Sequence, residues 1–244
     1  MMWLLGFTML WAEERQELVY TISQNGREIG QRNVVITYFP PSKSVPTAYK
    51  KVEVSSDCTL NIAGKSVRYQ QKGLGQFSAI RSNFVISNQI DDRTIEKQGK
   101  RDINGNWTVF NIQEGKVLKE KYTSMEVYLT SIEMFIPKIW MDGDRLDVLI
   151  LEGEYSLVQN TVWKEEKVKI SDKKIKDHIE QSNTASTNDV SISDVRDKDG
   201  VLLFSSIQAL GTDISFSLTS MPKDINYGEL KEENTFSGIE EQEL

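Results

Sequence analysis

Two groups of aspartates have a spacing that could bind a cation. The groups are Asp142, Asp144 and Asp147, and Asp194, Asp197 and Asp199. Calcium takes carboxylate oxygens, but neither group fits the twelve-residue loop with glycine at position six and glutamate at position twelve. Aspartate followed by glycine also occurs in tight turns for backbone reasons. We therefore expect turns at both places and no metal site.

The residues that usually carry catalysis are few and poorly placed. The one histidine, His178, lies in a polar segment, and no serine lies in a G-x-S-x-G elbow. Glu165 and Glu166 are adjacent, so on a strand they point to opposite faces and cannot share a proton. The single Cys58 excludes an internal disulfide and is expected to be a small buried apolar residue. We predict that the protein is not an enzyme and uses no cofactor.

The net charge of −7 is concentrated at the C-terminal end. Residues 223–244 hold seven carboxylates and two lysines, so they carry −5 and leave −2 for the rest of the chain. A nearly neutral chain without a basic stripe is unsuited to tracking phosphates, so no nucleic-acid partner is expected. We interpret residues 222–244 as an acidic, disordered tail.

Residues 1–12, MMWLLGFTMLWA, form an apolar run that ends in a small residue before charged residues. Its length is that of a secretory signal core and too short for a membrane-spanning helix. A buried first strand and an interfacial anchor are the alternatives. We predict an exported protein of the periplasm or envelope, whose mature chain begins near Glu13, with one domain over residues 13–221.

Alternating apolar residues and turn signals predict a β meander. Asn25-Gly26 lies between two alternating runs and indicates a hairpin, and Gly30 within the second run indicates a bulge or a close backbone contact. Similar turns are predicted at residues 63–65, 104–106, 114–116 and 197–200. Six or seven antiparallel strands are expected before residue 123. Residues 171–188 are polar and are predicted to be a long loop or weakly ordered hairpin tip.

The segment 123–136 has the pattern of one central helix. Thr123 and Glu126 have capping-box spacing, and Pro137 would end the helix. Apolar residues recur at the spacing that gathers one helix face. These residues are Met125, Tyr128, Leu129, Ile132, Phe135 and Ile136. The predicted fold is mainly β, an antiparallel meander curled into a half-barrel around this helix.

Three landmarks resemble exported bacterial proteins of unknown function that have a lipoprotein-localisation-like (LolA/LolB-like) half-barrel. They are Tyr20-x-Ile22 with Asn25-Gly26 and Ile29-Gly30, the mid-chain helix before Pro137 and Gly143, and Asp197-x-Asp199-Gly200 with Gly211. The resemblance implies an antiparallel sheet curled around a helix, with a concave apolar surface that holds acyl chains in the transport proteins. It does not by itself transfer a function.

Large apolar residues of the meander and the helix are candidates for the wall of a ligand site. They are Tyr128, Ile132, Phe135, Trp140 and Trp107. Our first hypothesis is an envelope protein that binds a lipid or a lipoprotein acyl chain on its concave face. The alternative is a structural or interaction module with an envelope protein partner, in which the chain's own side chains fill that face.

Overall fold

The structure is a computed structural model of the chain. The structure describes residues 14–42, 46–123, 129–138, 145–152, 157–162, 164–168, 170, 173–186, 190–209 and 211–220. The regions predicted as signal and acidic tail, and Asp142 and Asp144 of the first aspartate group, lie outside this part of the chain.

Sixteen strands make up most of the described chain. They are β1 Glu14–Gln24, β2 Arg27–Phe39, β3 Tyr49–Ile62, β4 Lys65–Ser78, β5 Ser82–Ile90, β6 Arg93–Arg101, β7 Trp107–Gln113, β8 Lys116–Tyr122, β9 Leu129–Thr130, β10 Arg145–Ile150, β11 Leu157–Val162, β12 Lys164–Glu165, β13 Gln181–Ser186, β14 Val190–Arg196, β15 Leu202–Ala209 and β16 Thr212–Ser220. Thirteen strands form one antiparallel sheet in the order β12-β13-β14-β15-β16-β1-β2-β3-β4-β5-β6-β7-β8. A second sheet has the order β11-β10-β9. The fold is thus mainly β, and the large sheet is not closed between β12 and β8 within the described residues.

One face of the large sheet, called here the inner face, carries the buried side chains. On β1 these are every second residue, Leu18, Tyr20 and Ile22, as the period of two in a strand requires. The Tyr20 hydroxyl donates a hydrogen bond of 2.9 Å to the Leu202 carbonyl oxygen, which joins the first strand to β15. The last strands of the chain therefore pack beside its first strand.

The predicted hairpin at Asn25-Gly26 is confirmed. Asn25 and Gly26 have φ of 51° and 77°, as a two-residue hairpin turn requires. Gly30 lies where the β1–β2 register shifts, so the predicted bulge is also confirmed. A Cβ at Gly30 would lie 2.1 Å from the Asp57 carbonyl oxygen, which leaves room only for glycine.

The central helix predicted over 123–136 is wrong in its described part. Leu129 and Thr130 form β9, which pairs in parallel with β10, and only Glu133–Phe135 forms a 3-10 turn. The Thr130 N–H donates to Glu133 Oε2 at 2.7 Å, and the Glu133 N–H donates to Thr130 Oγ1 at 3.4 Å. The reciprocal capping pattern thus falls at Thr130 and Glu133, too close to Pro137 for a longer helix.

The helix prediction failed because strand pairing supplied the backbone bonds that a helix makes internally. The Ser131 N–H donates to the Leu149 carbonyl oxygen at 2.9 Å, and β9 takes β10 as its partner. The apolar residues of the segment are buried without a helix, since Ile132 and Phe135 are 1% and 4% exposed. Predicted residues 124–128 lie outside the described chain.

Residues 173–186 of the polar segment are more ordered than the predicted long loop or weakly ordered hairpin tip. Lys173–Lys176 forms one turn of α-helix, α1, and Gln181–Ser186 forms β13, paired with β14 over six residues. The strand was missed because its sequence, QSNTAS, lacks alternating apolar residues. Neither α1 nor the 3-10 turn is long and apolar enough to cross a membrane, and the described residues contain no other helix.

Candidate functional site

The structure places three predicted wall residues in the main core. Trp107, Ile132 and Phe135 are 0%, 1% and 4% exposed and belong to one apolar cluster on the inner face. Phe135 meets the Tyr20 and Phe216 rings edge-on, with centroids 5.3 and 6.2 Å apart. Tyr128 and Trp140 lie outside the described residues. The three placed residues are thus packed together, and the chain itself fills this part of the inner face.

Next to this apolar cluster, the inner face carries a group of polar side chains around Arg32. Arg32 Nε donates to Ser56 Oγ at 2.7 Å, and its Nη2 donates to Gln71 Oε1 at 3.1 Å. The same Nη2 lies 3.3 Å from Glu152 Oε1, so a carboxylate pairs with the guanidinium. Burial alone would raise the pKa of Glu152, but Arg32, Ser131 and Lys97 together hold that pKa below its usual value. This network is internally satisfied and ties Glu152 to the sheet.

Lys97 is the unusual member of this polar region. It is 0% exposed, and its Nζ has no hydrogen-bond partner. Ile86 and Asn111 flank it in register on the neighbouring strands. Burial lowers the pKa of Lys97 to about 8, although the charges of Glu152 and Glu120 oppose the shift. A buried ammonium without a direct partner costs stability.

A cleft of about 740 Å³ lies at the end of the sheet formed by the end of β2 and the start of β3. Its walls are mainly aromatic, apolar and proline residues together with a few charges. The lining residues are Glu14, Tyr38, Phe39, Pro40, Pro41, Ala48, Tyr49, Lys50, Phe77, Ser78, Ala79, Arg101, Glu133, Ile136, Pro137 and Lys138. The Phe39 and Tyr49 rings stack, with centroids 4.5 Å apart and planes 5° apart. Strand register places Lys50 between Tyr38 and Phe77.

Two charged residues of the cleft, Arg101 and Glu133, bind to each other and to other groups of the protein. Arg101 Nη2 donates to the Ser78 carbonyl oxygen at 2.8 Å and to Ser82 Oγ at 2.7 Å, and its Nη1 lies 3.8 Å from Glu133 Oε1. Burial raises the pKa of Glu133 more than Arg101, Thr130 and the charge of Lys138 together lower it. Burial and the nearby Glu14 raise the pKa of Tyr38 to about 12. The phenol of Tyr38 is therefore neutral at physiological pH.

The second aspartate group, Asp194, Asp197 and Asp199, lies in the hairpin between β14 and β15. Asp197 Oδ1 accepts hydrogen bonds of 2.9 Å from the N–H groups of Asp199 and Val201, as in an aspartate-stabilised turn. Asp194 Oδ2 lies 3.2 Å from Arg196 Nη2, and both side chains are buried. This turn was predicted correctly. Within the described ranges, no three or more His, Cys, Asp or Glu side chains approach closely enough to hold a metal ion.

The prediction that Cys58 is buried is confirmed. Cys58 is 5% exposed, and burial raises the pKa of its thiol to about 11. His178 is exposed.

Sequence reasoning missed the residues of the cleft, Lys97 and the Arg32 network. The alternation of side chains along a strand could have placed Arg32 and Lys97 on the inner face, because each lies two residues from a buried residue of the same strand.

These observations define a mainly β protein with one large antiparallel sheet, an apolar core on the inner face of that sheet, and a cleft at one end of it that is lined by apolar residues and a few charged ones. A solved structure with a similar fold is that of a beta-barrel-like protein of domain of unknown function DUF1849 from Brucella abortus. The TM-score is 0.51 at 9% identity, over 88% of this chain and 98% of that one. At this identity the likeness concerns the fold alone. No family model and no curated protein matches the sequence.

Proposed function

We propose that the protein is an exported envelope protein that binds an amphiphile, such as a lipid or an acyl chain, in the cleft at the end of the sheet. One observation carries the proposal, namely the cleft of about 740 Å³ with its aromatic and proline walls. Ligand sites typically have volumes of roughly 300–1,000 Å³ and mostly apolar linings with a few polar groups. In this proposal the relationship to lipoprotein-localisation-like carriers extends to function, and the ligand lies beside the filled core.

Binding of a fluorescent fatty acid tests the proposal. Phe39→Asp puts a charge on the cleft wall and removes the stack with Tyr49, so saturable binding should be lost. Ile62→Asp is the control, because Ile62 is 55% exposed and lies at the opposite end of β3. Ile62 lies thirteen positions after Tyr49 along β3, a distance of roughly 40 Å.

Cooperative urea unfolding must first show that both variants are folded. Binding that is lost in Phe39→Asp and kept in Ile62→Asp supports the proposal. A native protein that binds neither the fatty acid nor a hydrophobic dye contradicts it.

A second candidate is a structural or interaction module of the envelope with a self-filled core. It is favoured by the apolar cluster in which Trp107, Ile132 and Phe135 pack against the sheet. Native mass spectrometry of protein purified from its native host separates the two candidates. Co-purified lipid in one-to-one ratio supports the carrier, whereas lipid-free protein bound to an envelope protein supports the module.

Export is part of both candidates and rests on the apolar run before Glu13. We expect N-terminal sequencing of protein from the fractionated native host to begin near Glu13, in the envelope fraction. A chain that retains Met1 and is found in the cytoplasmic fraction would show this to be wrong.

A further inference from the structure

We infer that the free edge of β8 binds an extended acidic segment of a partner protein, which adds to the sheet as a further antiparallel strand. β8 is the last strand of the thirteen-stranded sheet, and no strand of the described chain pairs with its other side. An unpaired edge is a template for one more strand. None of the β8 residues lines the cleft, so this surface is separate from the amphiphile site and the inference does not depend on amphiphile binding.

The backbone of β8 has hydrogen-bonding groups that point away from β7. The β7–β8 loop consists of Glu114 and Gly115, whose φ angles are 50° and 75°, and its closing pair is Gln113 and Lys116. In a hairpin with such a loop the closing pair is hydrogen-bonded, and hydrogen-bonded pairs then alternate with non-bonded ones along the two strands. The residues of the non-bonded pairs direct their N–H and carbonyl groups outward. On β8 these residues are Val117, Lys119 and Lys121.

Two large apolar side chains at this edge are exposed to solvent. Val117 and Leu118 are 55% and 51% exposed. Leu118 lies on the inner face, in register with Asn111, and Val117 lies on the opposite, outer face, in register with Ile112. Side chains of an added strand would lie beside both of them, because neighbouring residues of a strand alternate between the two faces. Strand addition would therefore remove apolar area from water on both faces.

The charges of β8 select an acidic strand. Lys116, Lys119 and Lys121 stand against Glu120, so three lysines and one glutamate give the strand a net charge of +2. No carboxylate of the described chain lies within 4 Å of these ammonium groups, and that of Lys119 lies 5.5 Å from the centroid of the Phe110 ring. A second copy of β8 would bring two strands of the same charge together, which is unfavourable. An acidic strand is attracted instead.

The register defines the pattern that an antiparallel partner strand should have. Acidic residues would face Lys121, Lys119 and Lys116, because opposite charges directly across two strands stabilise their pairing. Apolar residues would face Leu118 and Val117. Since an antiparallel strand passes Lys121 first and Lys116 last, the order along the partner is acidic, any residue, acidic, apolar, apolar, acidic.

Fluorescence anisotropy with labelled peptides tests this inference on the full chain. The acidic probe is TETEVVET, and the basic probe TKTKVVKT has lysine in place of each glutamate. We expect saturable binding of the acidic probe and no binding of the basic one. In hydrogen exchange followed by NMR, the amides of Val117, Lys119 and Lys121 should exchange more slowly in the complex, because their N–H groups then donate to the peptide.

Variants of the edge separate strand addition from general charge attraction. Val117→Pro removes an outward N–H and no hydrogen bond to β7, so binding of the acidic probe should be lost. Lys119→Glu should weaken binding of TETEVVET about tenfold, and TETKVVET, in which lysine faces the new glutamate, should restore it. Lys72→Glu is the matched control, because Lys72 is exposed on the outer face of β4 and its replacement changes the net charge equally. Binding by this control should be unchanged.

Cooperative urea unfolding must first show that each variant is folded, and if Val117→Pro is not, Lys119→Glu with its paired probe decides. Equal binding of the acidic and basic probes, or equal weakening by Lys119→Glu and Lys72→Glu, would overturn the inference. So would the absence of saturable binding of the acidic probe up to about 1 mM. A dimer that Val117→Pro or Lys119→Glu abolishes would assign the edge to a second copy. Binding that requires removal of residues 222–244 would assign it to this chain's own C-terminal segment, and either assignment contradicts a separate partner.

Discussion

Replacing Lys97 with methionine should stabilise the protein at neutral pH, because the lysine is buried and its ammonium has no hydrogen-bond partner. Methionine has a similar length and no charge, so the packing volume changes little. Burial shifts the pKa of Lys97 from 10.5 to about 8. At about 1.36 kcal/mol per pKa unit, keeping the lysine protonated in the folded state costs on the order of 3 kcal/mol. The variant should recover most of this free energy.

The gain should depend on pH in a defined direction. Below pH 8 both the folded and the unfolded state keep the proton, and the full cost is present. Between pH 8 and 10.5 the folded protein has released the proton and the unfolded chain has not, so wild-type stability rises with pH. The advantage of Lys97→Met should therefore be largest below pH 8 and shrink towards pH 10.5. Glu152 keeps Arg32 as its partner in the variant.

Urea unfolding at pH 7 and at pH 10 measures this difference. Lys100→Met is the matched control, because Lys100 is exposed on the same strand and its replacement should change stability by less than about 0.5 kcal/mol. Destabilisation by Lys97→Met at pH 7, or a gain that stays the same at pH 10, would refute the reasoning. Destabilisation would mean that the ammonium has a stabilising partner in solution, and an unchanged gain would mean that folding does not lower the pKa of Lys97.

Two further predictions follow from buried side chains. Phe135→Ala should lower the free energy of unfolding by about 3–5 kcal/mol. The substitution leaves a cavity in the core and removes the contacts of the Phe135 ring with the rings of Tyr20 and Phe216. Ile103→Ala, at a residue 68% exposed, should change it by less than about 0.5 kcal/mol, and equal effects in urea titrations would contradict the packing. Cys58, whose thiol has a pKa raised by burial to about 11, should react with a thiol reagent at pH 8 only in urea. Rapid reaction of native protein would show that the site is open.

Local signals predicted most of the strands and turns, because each is decided by neighbouring residues, although eight strands precede residue 123 where six or seven were expected. Asn25 and Gly26 accept positive φ, so these two residues were enough to predict the hairpin. Asp197 likewise marked the turn between β14 and β15, since its carboxylate bonds to N–H groups two and four residues later. Gly30 was predicted at a bulge or a close contact, and it is at both.

The segment around Leu129 shows where local signals fail. Apolar spacing and a capping pattern favoured a helix, but β10 offered backbone partners nineteen residues away. A helix satisfies its own backbone bonds, whereas a strand depends on a partner that periodicity does not reveal. The predicted wall residues Ile132 and Phe135 were correctly identified as large apolar residues, but their burial in the core depends on this pairing.

The sequence by itself determined the mainly β class and most hairpins, because alternation and turn residues act over a few positions. Only the tertiary structure placed β16 beside β1, gathered Lys50 and Lys138 into one cleft, and left Lys97 without a partner on the inner face. These arrangements join residues far apart in the chain. They depend on the order in which strands pair and on which buried charges find a partner, and both are settled only when the whole sheet has formed.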